Sequence, residues 1–148
     1  MKITILALLA ALFMFSDSAW AVLGESVRSV QADQQRLRGE VLALARQGYA
    51  IHQIKAADGN VVREYVSQEG MVFGVSWQGM TMPDLHALLG SYFPEFQQAI
   101  QSPHRRRGPL AVRTEHVVVE SGGHMRNFHG RAYVPGLVPA NLTQAVVQ

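Results

Sequence analysis

Three histidines in the C-terminal third of the chain, His116, His124 and His129, have the residue type and spacing that could support chemistry. A two-residue turn at Gly122-Gly123 would place His116 opposite His129, because paired residue numbers keep a constant sum across a hairpin. Cross-strand Cβ atoms lie about 4.5–5.5 Å apart, so both imidazoles could share a metal ion or a proton. The spacing therefore predicts a histidine face on this hairpin.

A metal centre on this face would need a further ligand. Zinc sites normally use three or four protein ligands, but no third acidic or imidazole ligand has an assured place nearby, and Glu120 and His124 are the possibilities. We assign no metal and no cofactor, and His116, His124 and His129 are the candidates for metal ligation. The chain contains no cysteine, which excludes thiolate nucleophiles and thiolate metal ligands.

The familiar catalytic motifs are absent from the sequence. There is no H-E-x-x-H, no P-loop and no G-x-G-x-x-G after a predicted strand. Residues 74–79 miss the G-x-S-x-G pattern by one position and lie within a predicted strand. We assign no catalytic residue and favour a binding role over an enzymatic one. The alternative is a metal-dependent or histidine-based hydrolase centred on the last hairpin.

Arginines offer a second kind of binding group. Arg105, Arg106 and Arg107 form a run in a proline-containing loop, and arginine binds carboxylate and phosphate groups in a bidentate manner. The run predicts affinity for an anionic group. Together with polar and aromatic side chains on the non-core side of predicted strands, the binding candidates are His116, His129, Arg131, Tyr133, Arg63, Tyr65, Arg105, Arg106 and Arg107.

The overall charge argues against nucleic acid as a partner. Thirteen basic and eleven acidic residues leave a formal charge of only +2, whereas general nucleic-acid binders need a concentrated basic surface. A chain of 148 residues also has the length of a single domain.

The first 21 residues of the chain follow the arrangement of a secretory signal peptide. Lys2 precedes an apolar run over residues 3–15, and Ala19 and Ala21 supply the small side chains of a cleavage site. This run of thirteen residues is shorter than the roughly 18–20 residues that a membrane-spanning helix needs. We expect cleavage after Ala21, no transmembrane span after that cleavage, and a protein that is periplasmic or secreted.

The spacing of apolar residues predicts the elements that must position these side chains. Helical spacing begins near Ser26 and continues to Leu44, and a second helical stripe begins at Pro83 with an expected kink at Pro94. Strict alternation predicts a three-stranded meander between the helices and a hairpin after the second one. The predicted strands cover residues 49–57, 61–68, 71–78, 110–121 and 124–134.

These elements predict an α+β domain over residues 22–134, followed by an irregular C-terminal tail over residues 135–148. Its fold would be an antiparallel sheet of about five strands with two helices packed on one face, in the order helix, three strands, helix, two strands. Arg63, Tyr65 and Ser76 are expected to point away from the core. The core face of the meander is expected to comprise Ile51, Val62, Val66, Phe73, Val75 and Trp77.

Several short strings of residues in the mature chain are distinctive as a set. They are Val62-Arg63-Glu64-Tyr65-Val66-Ser67, Phe73-Gly74-Val75-Ser76-Trp77-Gln78-Gly79, Pro83-Asp84-Leu85, Leu88-Leu89-Gly90-Ser91-Tyr92-Phe93, Arg107-Gly108-Pro109-Leu110, Ser121-Gly122-Gly123-His124-Met125-Arg126 and Gly130-Arg131-Ala132-Tyr133. These strings resemble a family of small exported proteins of Gram-negative bacteria that is catalogued only as a domain of unknown function. The resemblance covers residues from about 31 to 139 and implies an exported protein with no assigned activity, cofactor or catalytic residue.

The export signal and the lack of catalytic motifs together favour one functional class. We expect a non-enzymatic binding or accessory module of the cell envelope. Its partner would be another envelope protein or an anionic envelope component, bound through one face of the sheet.

Overall fold

The computed structural model of the protein describes residues 23–101 and 108–148. The expected signal peptide with its cleavage site, and the arginine run at residues 105–107, lie outside the described residues. The helices are α1 (Ser29–Leu37), α2 (Leu85–Leu89) and α3 (Phe93–Ile100). The strands are β1 (Glu40–Arg46), β2 (Tyr49–Lys55), β3 (Val61–Ser67), β4 (Val72–Gly79), β5 (Leu110–Arg113), β6 (Val118–His124) and β7 (Asn127–Tyr133).

All seven of these strands belong to one antiparallel sheet with the order β1-β2-β3-β4-β7-β6-β5. Strands β1 to β4 form one meander of consecutive hairpins, and β5 to β7 form a second meander. The two meanders meet where β4 pairs with β7, which joins parts of the chain that are far apart in sequence. In the described part, no helix is both long and apolar enough to span a membrane.

The expectation of about five strands with two helices on one face is wrong. The first predicted helix ends at Leu37 because Arg38 adopts a left-handed conformation with φ 48°. The residues that follow form β1, which pairs with β2 along its whole length. Val41 and Leu44 fit helical spacing, but residues 41–45 are a short unbroken apolar run. Periodicity cannot separate a helix from a strand in such a run.

The second helical stripe is present but is broken earlier than expected. Residues 85–100 form a helical stretch in which a 3-10 turn at Gly90–Tyr92 separates α2 from α3. Asp84 caps α2 by accepting a hydrogen bond from the Ala87 N–H at 3.2 Å. Pro94 lies in the first turn of α3, where its missing N–H costs nothing.

The predicted central meander is confirmed as β2, β3 and β4, but two of its predicted core-face residues, Ile51 and Phe73, lie on the opposite side of the sheet from Trp77. The register between β3 and β4 shifts at Tyr65 and Val66, so Phe73 joins the cluster of Tyr65 rather than that of Trp77. A bulge of this kind adds one residue to a strand and reverses which residues face each side. Ile51 lies opposite Tyr65 and packs with the same cluster.

The expected register of the last hairpin is also wrong. His124 pairs with Asn127 and Gly122 pairs with His129, so the turn is at Met125 and Arg126 rather than at the two glycines. Arg126 takes the left-handed conformation, with φ 67°.

The predicted strand over residues 110–121 is divided by a turn. The main-chain N–H of Thr114 donates to the Val117 oxygen at 3.0 Å, and the Thr114 hydroxyl donates to the same oxygen at 2.9 Å. His116 lies in this turn, before β6 begins.

Two apolar clusters lie on opposite sides of the sheet. We call the side packed against α2 and α3 the helix face, and the side covered by residues 135–148 the strap face; these residues are the strap. The helix-face cluster contains the buried residues Leu23, Val62, Val66, Val72, Val75, Trp77, Leu88, Leu89, Phe96, Val112, Val117, Val119, Ala132 and Val134. The strap-face cluster contains Tyr65, Phe73, Val118, Tyr133 and Val147.

Candidate functional site

The strand register aligns the side chains of the strap face in rows that cross the sheet. One row joins Ile51 on β2, Tyr65 on β3, Gly74 on β4, Tyr133 on β7 and Val118 on β6. This row is aromatic or aliphatic at each position except Gly74. Because Gly74 has no side chain, the row has a gap at its centre.

The strap fills this gap with Val147. A Cβ atom built on Gly74 would lie 2.6 Å from Cγ2 of Val147, which is closer than two carbon atoms can approach without displacing one of them. Val147 is fully buried in the strap-face cluster. The glycine is therefore required for the strap to seat against the sheet.

A second row, two residues further along each strand, is polar. It joins Gln53, Arg63, Ser76, Arg131 and Glu120 on β2, β3, β4, β7 and β6. Adjacent strands lie about 4.8 Å apart, so the two arginines flank Ser76 on either side. The row ends in a carboxylate that pairs with the nearer arginine.

The main chain of the strap is bound by donors from both rows. The Gln148 oxygen accepts hydrogen bonds from the Tyr65 hydroxyl at 2.6 Å and from the Ser76 hydroxyl. The Gln148 N–H donates to the hydroxyl oxygen of Tyr65 at 3.0 Å, and Nη1 of Arg131 donates a hydrogen bond to the main-chain oxygen of Val147 at 3.0 Å. The strap face thus binds main-chain groups of Val147 and Gln148 by direct hydrogen bonds.

Arg131 and Glu120 form the main ion pair of this face. Nε and Nη2 of Arg131 lie 2.8 and 2.7 Å from Oε2 of Glu120, and Arg113 contacts Oε1 at 3.0 Å. The hydrogen bond from Arg131 is the main reason that the pKa of Glu120 is lowered below its ordinary value, and Arg113 adds to it. Glu120 therefore compensates much of the charge of these two arginines.

Arg63 differs from Arg131 because no carboxylate of the described residues pairs with it. Its Nε donates to Oε1 of Gln53 at 3.0 Å, and its Nη atoms meet no acceptor among residues 23–101 and 108–148. The side chain is only half-buried. A guanidinium with free donors beside solvent is suited to bind a carboxylate or phosphate group.

An open cleft of about 690 Å³ adjoins the strap and includes Arg63. Its floor continues into a third row, in which Gln78 on β4 pairs with His129 on β7 and His129 pairs with Gly122 on β6. We call this cleft the groove. Its lining residues are Arg63, Trp77, Gln78, Pro109, Leu110, Ala111, Glu120, Ser121, Gly122, Gly123, His129, Gly130, Arg131, Val147 and Gln148.

Gln148 separates the groove from a second cleft of about 680 Å³ on the other side of the strap. Arg63 lines both clefts, and Tyr49 and Tyr65 contribute aromatic walls to the second one. Arg63 is thus accessible from both sides of the strap end.

The structure brings most of the sequence-predicted binding residues to one face. Arg63 and Arg131 line the groove with His129, while Tyr65 and Tyr133 are buried beneath the strap. The Tyr133 hydroxyl donates to Oε1 of Gln144 in the strap at 2.8 Å. Their burial and their hydrogen bonds to Gln148 and Gln144 show that these tyrosines hold the strap in place.

The candidate histidines are not brought together. His116 lies in the turn before β6, where its Nδ1 is 3.2 Å from Oε2 of Glu95. His124 is exposed beside the turn of the last hairpin, and His129 lies in the groove. Within the described ranges, no group of three or more histidine, aspartate or glutamate side chains is placed to hold a metal ion.

Sequence reasoning missed the two residues that seat the strap, Gly74 and Val147. A glycine inside an otherwise apolar strand is a signal for close approach of another segment, so Gly74 could have been flagged. Val147 could not, because its segment shows no periodicity that links it to a strand far away in the chain.

Comparison with known proteins gives one match. A family model described as "Protein of unknown function (DUF2844)" matches residues 19–147. No curated protein and no solved structure matches the chain.

Proposed function

Because the chain belongs to the DUF2844 family, whose description names no activity, we propose a function from the site itself. The protein is an exported, non-enzymatic binding module of the cell envelope. It holds an anionic group of another envelope component in the groove of the strap face. The ligand's carboxylate or phosphate is bound by Arg63.

The unpaired guanidinium of Arg63 is the observation that carries this proposal. Arg131 and Arg113 share the carboxylate of Glu120, whereas the Nη donors of Arg63 meet no acceptor in the described part of the chain. Gln78 and His129 supply further polar groups along the same groove. A bound anion would satisfy donors that are otherwise left to water.

The positions of the histidines support a binding role over the hydrolase alternative. General acid–base catalysis needs the participating groups within hydrogen-bond reach of one substrate. His129 alone of the three candidates lines the groove, and His116 is engaged with Glu95.

Export is supported by the order of residues at the start of the chain. Lys2, the apolar run over residues 3–15 and the small side chains of Ala19 and Ala21 match a cleavable signal. Intact-mass measurement of the protein from a periplasmic fraction tests this part. A mass that begins at Val22 supports export with cleavage after Ala21, and a mass that retains residues 1–21 contradicts it.

Titration with a fluorescently labelled hexaglutamate peptide tests the groove. Arg63→Gln should weaken binding by about tenfold or more, because a hydrogen bond to a charged group contributes about 1.5–3 kcal/mol. Arg28→Gln is the matched control, since Arg28 is an exposed arginine before α1 and lies outside the groove. Equal affinities of wild type and Arg63→Gln, or no binding by wild type, would reject the anion site.

A further inference from the structure

Among the described residues, the outer edge of β1 is the longest hydrogen-bonding edge of the sheet that no neighbouring strand covers. Strand β1 is terminal in the strand order, and its seven residues pair with β2 without a bulge. At the other end of the sheet, β5 has only four residues. Edges of this kind are often blocked by proline or by a bulge, and neither is present in β1.

The hydrogen-bond register shows which groups of β1 point outward. Ala56 donates its N–H to the Asn60 oxygen at 2.8 Å across the β2–β3 hairpin, so even-numbered residues of β2 bond to β3 and odd-numbered ones bond to β1. The β1 partners of the odd-numbered residues are even-numbered, as in the pair Leu42 and Gln53. Val41, Ala43 and Ala45 therefore direct their N–H and C=O groups away from the sheet.

The side chains of β1 are arranged symmetrically about Ala43. Glu40 and Arg46 stand at the two ends, and Leu42 and Leu44 flank the centre. All four lie on the strap face, and Leu42 is 54% exposed. Leu42 is one of four large apolar side chains that the described residues leave exposed.

We propose that β1 pairs antiparallel with β1 of a second copy of this chain, about a two-fold axis at Ala43. Val41 then exchanges main-chain hydrogen bonds with Ala45 of the partner, and the two copies of Ala43 bond to each other. The two sheets become one continuous sheet with both strap faces on the same side. The partner is a second copy because the edge is complementary to itself in both charge and hydrogen bonding.

This register places opposite charges across from each other. Glu40 lies opposite the partner's Arg46 at each end, and Leu42 lies opposite the partner's Leu44. In both of these pairs the main chains do not hydrogen-bond to each other. The Cα atoms of such pairs are only about 4.5 Å apart, so their side chains contact most closely. An axis at Val41 or Ala45 would instead place Glu40 opposite the partner's Leu42, or Leu44 opposite the partner's Arg46, and lose both ion pairs.

Charge reversal tests the interface. Within one copy, Arg46→Glu also removes the exposed hydrogen bond that Nη1 of Arg46 donates to the main-chain oxygen of Ala45 at 3.2 Å. Glu40→Arg alone places arginine opposite arginine at both ends, and Arg46→Glu alone places glutamate opposite glutamate. Each variant should raise the dimer dissociation constant about tenfold or more relative to wild type in sedimentation velocity. An equimolar mixture of the two variants restores both ion pairs, and it should form a heterodimer.

Two outcomes of this experiment would overturn the proposal. One is a wild type that stays monomeric over the whole concentration series. The other is a pair of variants that dimerise as well alone as in the mixture. Unchanged far-ultraviolet circular dichroism of each variant shows that the sheet itself is intact.

A cysteine cross-link gives an independent measurement of the axis. The chain has no cysteine, so Ala43→Cys introduces a single thiol, and a hydrogen-bonded pair has Cα atoms about 5.5 Å apart, within the range of a disulfide. Oxidation should give a covalent dimer. Ala111→Cys, on the exposed opposite edge, is the matched control and should remain monomeric; equal cross-linking of both variants would contradict the axis at Ala43.

Discussion

On the helix face, Val75 and Trp77 are buried with apolar side chains from α2 and α3, and the cluster extends across the centre of the sheet. On the strap face, the same strand β4 presents Gly74 and Ser76, which contact Val147 and the main chain of Gln148. One strand thus serves a continuous apolar core on one side and a small, partly polar contact on the other.

The helix face mainly stabilises the fold, and the strap face carries the candidate binding groups. Burial of apolar area is the main favourable contribution to folding, and most of that burial lies on the helix face. The strap face contains Arg63, Arg131, the ion pair and most of the groove, whose lining also includes Trp77 of the helix face. We therefore expect helix-face substitutions to change the free energy of unfolding most, and groove substitutions to change binding most.

The largest expected effect is at Trp77. Trp77→Ala should lower the free energy of unfolding by about 3–5 kcal/mol, because it removes a large buried aromatic side chain from the helix-face core. Chemical denaturation followed by circular dichroism measures the change. Met125→Ala is the control, since Met125 is 87% exposed and should cost less than about 0.5 kcal/mol. A cost below about 1 kcal/mol for Trp77→Ala would remove the distinction between the two faces.

A double-mutant cycle on the strap contact should give the next largest effect. Gly74→Ala inserts a methyl group where Val147 lies, so it should cost about 1–3 kcal/mol by overpacking. Val147→Ala removes the opposing carbons and should cost about 1–2 kcal/mol. The double variant should cost less than the sum of the two by at least about 0.5 kcal/mol. Strictly additive costs would show that Val147 does not occupy the gap above Gly74.

The ion pair at Glu120 should have a smaller, pH-dependent effect. The pKa of Glu120 is lowered in the folded protein, first by the hydrogen bond from Arg131, so its contribution is complete above the unfolded pKa and is lost as pH falls through the folded one. Glu120→Gln should cost about 1 kcal/mol or less near neutral pH. The difference from wild type should shrink below about pH 4.3. A difference that stays constant with pH would show that the charge of Glu120 does not stabilise this face.

The smallest effect is expected at His116, which belongs to neither face. Its contact with Glu95 is solvent-exposed, with 62% of the histidine side chain accessible. His116→Gln should change the free energy of unfolding by less than about 0.5 kcal/mol and leave groove binding unchanged. A larger loss in either measurement would assign the turn before β6 a role that its geometry does not explain.

The central meander could be predicted because several local signals agree. Alternation in β2, β3 and β4 coincides with Asp58-Gly59-Asn60 and Glu69-Gly70 at the turns. For β1 the signals conflict, because its apolar spacing fits both a helix and a strand. For the last hairpin, the two glycines favour a turn between them, yet the turn residue that takes the left-handed conformation is Arg126.

The candidate site could be predicted only in part. Alternation was enough to place Arg63 and Tyr65 on the side opposite Trp77, and Arg131 and Tyr133 follow the same period. The sequence does not show that the strap covers the tyrosines and leaves the arginines open to the groove. That difference depends on Val147 and Gln148, whose contacts are with strands distant in the chain.

The seam between β4 and β7 has a consequence for the rate at which this protein folds. Each meander closes short loops between neighbouring strands, whereas the seam joins Gly74 to Tyr133 across a long stretch of chain. Closing a longer loop costs more conformational entropy, and topologies rich in distant contacts fold slowly. The seam therefore carries the largest loop-closure entropy cost of the strand pairings in this sheet.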